Sequence, residues 1–175
     1  MTVTRRVVFA IFVALPVLMM SRAAEAEIID RVLAVVAGQL ITLSDVIAAR
    51  DLGLQTAEGA ADPVREILSK LIDRELIVAE VDRYAPPEPT SEAIDRETGL
   101  IRTRFPTVEA FDATLERSGT DEKQLREIVR QDLRIRAYLD QRFASAQERR
   151  QALMDDWLSG LRRRGDVVDL YLSAR

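Results

Sequence analysis

The chain has 175 residues, room for one well-packed domain and too few for two comfortable ones. It contains no cysteine and no histidine. That excludes disulfides, thiolate metal sites, thiol nucleophiles and the usual general base near neutral pH. Apolar residues at 47% supply a core, charged residues at 31% suit a soluble surface, and 5% aromatics with seven glycines favour helix over sheet. A net charge of −4 argues against nucleic acid as a partner.

Residues 1–26 form a secretory address. Arg5 and Arg6 precede an apolar run from Val7 to Met20, and Ala24-Glu25-Ala26 supplies a small-residue cleavage site after Ala26. As a helix that run measures about 21 Å, against roughly 30 Å of bilayer hydrocarbon, and Pro16 interrupts it. An uncleaved membrane anchor is therefore the weaker reading. Cleavage leaves one domain, 27–175, periplasmic and without a stable membrane span. Removing Arg5, Arg6 and Arg22 with Glu25 makes it more acidic still.

Ile28 to Val36 is rich in β-branched residues and predicts a strand; Ala37-Gly38 turns it and Gln39 to Thr42 returns as a second. Ser44 stands where a helix cap belongs, ahead of Asp45 to Ala49. Residues 53–61 form a loop. Asp62 caps and Pro63 opens a long helix to Tyr84, apolar on one face at first and nearly all round after Leu76. Pro86, Pro87 and Pro89 end it.

Two short helices follow. The first carries Ile94, Ile101 and Phe105; the second, capped by Thr107, carries Val108, Phe111 and Leu115 up to Ser118-Gly119. Thr120 is expected to cap a long helix through Phe143. Its stripe is Leu125, Ile128, Val129, Ile135, Leu139 and Phe143, with Tyr138 on the charged face. A last helix from Ala146 to Arg164 buries Leu153, Met154, Trp157 and Leu161, and Gly165 stops it. Val167 to Leu172 alternates and predicts a final strand that buries Val168, Leu170 and Leu172. Its only available partner is the hairpin, so the two ends of the domain meet. The fold class is mainly α, with a small β element formed by the N-terminal hairpin and the C-terminal strand.

Phosphate loops, HExxH and nucleophile elbows are absent, and carboxylate pairs such as Asp155-Asp156 point in different directions on a helix. The arginine clusters at 149–150 and 162–164 suit phosphate or an anionic surface, but salt bridging and helix-end stabilisation explain them as well and are the preferred reading. No metal or cofactor is called for.

The segment Asp30-Arg31-Val32-Leu33-Ala34-Val35-Val36, a turn, and Leu40-Ile41-Thr42-Leu43-Ser44-Asp45-Val46 resembles the opening of SurA-type periplasmic chaperones. Leu71-Ile72-Asp73-Arg74-Glu75-Leu76-Ile77 is similar to the second helix of that family. The Phe-Pro-Thr-Val-Glu-Ala-Phe segment (105–111), the long helix after Gly119 and the closing helix, glycine and strand extend the likeness over nearly all of 27–175. The resemblance implies a chaperone core that binds unfolded outer-membrane proteins. Parvulin-type prolyl isomerase domains usually interrupt that core, and the junction between the last two helices leaves no room for one. Parvulin sites also characteristically contain histidine. The expected chain is thus a chaperone core and not an enzyme.

The first functional reading is an ATP-independent holdase for unfolded or nascent envelope proteins, with client contacts at Phe105, Phe111, Leu115 and Tyr138. The second is a prolyl isomerase with an unrecognised site. The third is an adaptor with one fixed envelope partner, for which a homodimer is one arrangement.

Overall fold

A computed structural model describes residues 30–172. The leader over 1–26, its boundary after Ala26, and Ile28 and Ile29 of the expected first strand lie outside the described residues. Along the chain come β1 (Val32–Val36), β2 (Gln39–Thr42), α1 (Leu43–Asp51), α2 (Pro63–Tyr84), α3 (Ser91–Arg102), α4 (Val108–Arg117), α5 (Glu122–Arg142), α6 (Arg150–Arg164) and β3 (Val167–Asp169). The fold is mainly α with a small β element, and the hairpin and the C-terminal strand do pair.

The hairpin turns at Ala37 and Gly38, whose φ values of 50° and 83° are both left-handed, as mirror-image two-residue turns require. The sheet order is β2-β1-β3, all antiparallel, so β1 is central and both partners are edges. Val35 stands opposite Leu40 on one side and Val168 on the other. Helix α2 covers one sheet face only, where Leu33, Ala34, Val36 and Ile41 are buried. Val167, opposite Val36, follows them inward. Val168, Leu170 and Leu172 therefore face outward and are exposed, the reverse of the sequence expectation. Alternation set their common side, but only the pairing register could say which side was the core.

Two helix caps sit earlier or later than expected. Thr42, not Ser44, caps α1: its hydroxyl accepts from the Asp45 N–H at 3.3 Å, and its own N–H donates to the Asp45 carboxylate at 2.8 Å. Asp121, not Thr120, caps α5 by the same reciprocal device with Gln124, at 2.6 and 2.8 Å. Asp62, Thr90 and Thr107 cap α2, α3 and α4. A short 3-10 turn over Gln147–Arg149 delays α6 to Arg150.

Two apolar clusters form. The first joins the inner sheet face to α1, α2 and Leu161 of α6. The second joins Ala48 of α1 and Leu52, which caps the C-terminus of that helix, to Ile101, Phe111, Leu115, Leu125 and Val129. Leu54 packs against both. On α5 the buried residues are Leu125, Val129, Arg134 and Tyr138, with Phe143 just beyond its end. Ile128, Ile135 and Leu139 are half-buried, so the stripe is rotated toward Tyr138. On α6 Leu161 is buried and Met154 and Trp157 are half-buried, but Leu153 is exposed.

Candidate functional site

Arg74 of α2, which is mostly buried, ties that helix to α5. Its Nε donates to Asp132 Oδ1 at 2.9 Å; Nη2 donates to Gln131 Oε1 at 3.0 Å and to the Ile128 carbonyl at 3.3 Å. Nη1 donates to Glu75 Oε1 at 2.7 Å. A guanidinium with its donors spent this way is a fixed strut whose charge is neutralised in place.

Beside this strut opens a groove of about 270 Å³, walled by β2, α1, α2 and α5. Leu40, Ile41, Leu54, Leu71 and Ile128 make its apolar walls, and Gln39, Gln55 and Gln131 offer amides that can both donate and accept. The carboxylates Asp45, Glu75 and Asp132 lie along it, two of them engaged by Arg74. Apolar walls with a few polar groups are what a binding cleft requires.

The backbone adds a second feature. Ala37 N–H donates to the Asp166 carbonyl and Leu170 N–H to the Leu33 carbonyl, both at 2.9 Å, so the odd-numbered residues of β1 turn their polar groups toward β3. Val35 therefore makes no ladder bonds to β2, and Leu40, which faces it, turns its N–H and C=O outward. Leu40 is also 61% exposed. An open strand edge and an apolar side chain thus meet at the groove mouth.

The residues expected to touch a client are placed elsewhere. Phe111 is fully buried, Leu115 is buried and Phe105 is half-buried; the Phe105 and Phe111 rings meet edge to face at 5.4 Å inside the second cluster. Tyr138 is 6% exposed rather than on a solvated face, with its ring 5.5 Å from Tyr84 and 6.1 Å from Trp157. Arg142 donates to its hydroxyl at 3.2 Å. An amphipathic ring can be buried while its oxygen reaches the rim. Burial pushes the Tyr138 hydroxyl pKa up, against the pull of Arg142. The structure brings Phe105, Phe111 and Leu115 together and leaves Tyr138 in a separate aromatic cluster.

Sequence reasoning missed Leu40, Leu71, Arg74 and Ile128 as a set. One signal was present: Asp73-Arg74-Glu75 is a charged triplet set between the apolar pairs Leu71-Ile72 and Leu76-Ile77.

Among the described residues no group of three or more acidic or metal-ligating side chains is arranged to hold a metal ion, and no helix is long and apolar enough to cross a membrane. No protein-family model matches this chain, and no curated protein matches it.

Proposed function

We propose that this chain is an ATP-independent chaperone of the periplasm that holds unfolded envelope polypeptides, outer-membrane protein precursors among them, and does not catalyse prolyl isomerisation. The observation that carries the reading is the outward-facing Leu40 backbone at the mouth of an apolar-walled groove. An extended client can add to such an edge by main-chain hydrogen bonds, which are indifferent to sequence, while the walls take alternate apolar side chains. Holding needs no nucleotide or cofactor. The resemblance of the hairpin and second helix to SurA-type chaperones supports the same reading, as does the lack of histidine for an isomerase site of the parvulin kind.

The test is light scattering from a denatured outer-membrane protein diluted into buffer with stoichiometric amounts of the chain. Scattering is expected to fall severalfold. Leu40→Lys, at a position exposed enough to tolerate it, is expected to restore most of the scattering without lowering the melting temperature. Unchanged scattering across several clients overturns the reading, and capture of one folded stoichiometric partner favours an adaptor. Accelerated cis–trans exchange of a proline peptide at catalytic concentrations sinks the non-enzymatic part.

A further inference from the structure

A second concavity, about 660 Å³, runs along α6. Arg149, Leu153, Trp157, Gly160 and Arg164 recur at steps of three and four, so they share one face, and Arg142 and Phe143 at the end of α5 close it. Arg163 joins the rim.

Charge sets this trough apart. Most arginines among the described residues are held in ion pairs, as Arg74, Arg130, Arg134 and Arg162 are. Among the described residues Arg142, Arg149, Arg163 and Arg164 are in none of the ion pairs, and Asp156 is the only carboxylate that lines the trough. Arg142 instead stands 5.2 Å from the Trp157 ring and 5.7 Å from that of Phe143. At Gly160 the Arg164 guanidinium rests against the helix, its Nη1 lying 3.1 Å from where a Cβ would stand. The floor is apolar, with Leu153 42% exposed and Trp157 half-buried.

We propose that this face of α6 docks onto an anionic phospholipid surface, with Arg149, Arg163 and Arg164 taking headgroup phosphates and Leu153 entering the interface above Trp157. Planar guanidiniums match phosphate oxygens, and a headgroup layer presents several anions at close spacing, as this rim requires. A free phosphate satisfies the arginines but leaves the exposed Leu153 without a role. Trp157, with its indole N–H buried, lies beneath Leu153 as the inner floor of the trough. The uncompensated cluster belongs to a chain whose net charge is −4, so the attraction is local to this face. The proposal is independent of the polypeptide groove.

Trp157 is the only tryptophan, so its emission reports on the trough directly. The full chain is titrated with vesicles of phosphatidylglycerol or of phosphatidylcholine. Because the apolar run at 7–20 can enter a bilayer by itself, the readout is Trp157 emission and the difference between variants, not sedimentation alone. Phosphatidylglycerol is expected to shift the emission to the blue, reversibly with salt, and phosphatidylcholine to leave it unchanged. Arg149→Gln, Arg163→Gln and Arg164→Gln are each expected to weaken this response about fivefold. An equal shift with both vesicles, no shift with either, or indifference to the three variants overturns the proposal. So does the same shift with inorganic phosphate alone, or with an acidic polypeptide but not with vesicles.

Discussion

Gly165 follows α6 with an ordinary extended backbone, φ −76° and ψ 150°, so conformational freedom does not explain it. Space does. A Cβ at this position would collide with Leu76 Cδ2 and sit 2.9 Å from the Leu161 carbonyl oxygen. Gly38 is the opposite case, with nothing within 4 Å but a φ of +83°. Gly165→Ala is therefore expected to destabilise by about 1–3 kcal/mol through overpacking. Gly38→Ala is expected to cost about 1 kcal/mol through the backbone. Chemical denaturation separates the two mechanisms. Shortening Leu76 to Ala should make room, so Gly165→Ala combined with Leu76→Ala should lose less than the two single losses together. Strict additivity would show that the contact is not the cause. The sequence made Gly165 legible as a helix stop but not as a packing site, because its neighbour Leu76 is remote in sequence.

At the scale of elements, β3 is held less by apolar burial than by a polar clasp on the start of α2. The Tyr171 hydroxyl donates its one hydrogen to the Asp62 carboxylate, whose oxygens lie 3.0 and 2.9 Å away, and Asp62 is also the cap that accepts from the Arg65 N–H at 3.0 Å. Arg65 pairs with Asp169, and Arg31 and Arg65 stand 5.8 and 5.9 Å from the Tyr171 ring. The Arg65 N–H chiefly, helped by Tyr171 against some desolvation, holds Asp62 below its ordinary pKa of 3.8. The bond to Asp62 in turn raises Tyr171 above its ordinary 10.0. The stability from Asp62 is therefore complete above about 3.8 and lost as pH falls through its lower folded value. That from Tyr171 is complete below about 10 and lost as pH rises through its higher folded value. Tyr171→Phe is expected to lower the melting temperature by a few degrees near neutral pH, with the wild-type advantage vanishing on the alkaline side. No difference near neutral pH would show that the ring, which phenylalanine keeps, anchors the strand and not the hydroxyl bond. The pairing of the final strand with the hairpin was legible from its need for a partner, but the order, with β1 in the centre, was not. Which face turned inward was not, because Val167 and Val168 are chemically identical and only the register with Val35 and Val36 tells them apart. Tyr138 misled for a similar reason: its arginine-rich neighbours on α5 suggest solvent, yet Tyr84 and Trp157 cover its ring from other elements.

On the scale of the whole molecule, helix α1 joins the two apolar clusters. Val46 and Ala49 belong to the first cluster, while Ala48 and Leu52 belong to the second, so adjacent side chains of one helix enter both. Leu54 bridges them, and Arg74 fastens α2 to α5 across the remaining gap. A local loss in one cluster cannot be relieved without moving α1 in the other. Leu125 is fully buried in the second cluster, and Leu125→Ala is expected to cost about 2–5 kcal/mol, a large share of the roughly 5–15 kcal/mol that stabilises a domain. Trp157 packs against the first cluster, so its fluorescence watches the side of the molecule that the substitution does not touch. In urea, the fluorescence midpoint of the variant should fall together with the far-ultraviolet dichroism midpoint, which is dominated by the helices. If the dichroism transition moved while that of Trp157 stayed, the clusters would be separate cooperative units and α1 would be a hinge between them.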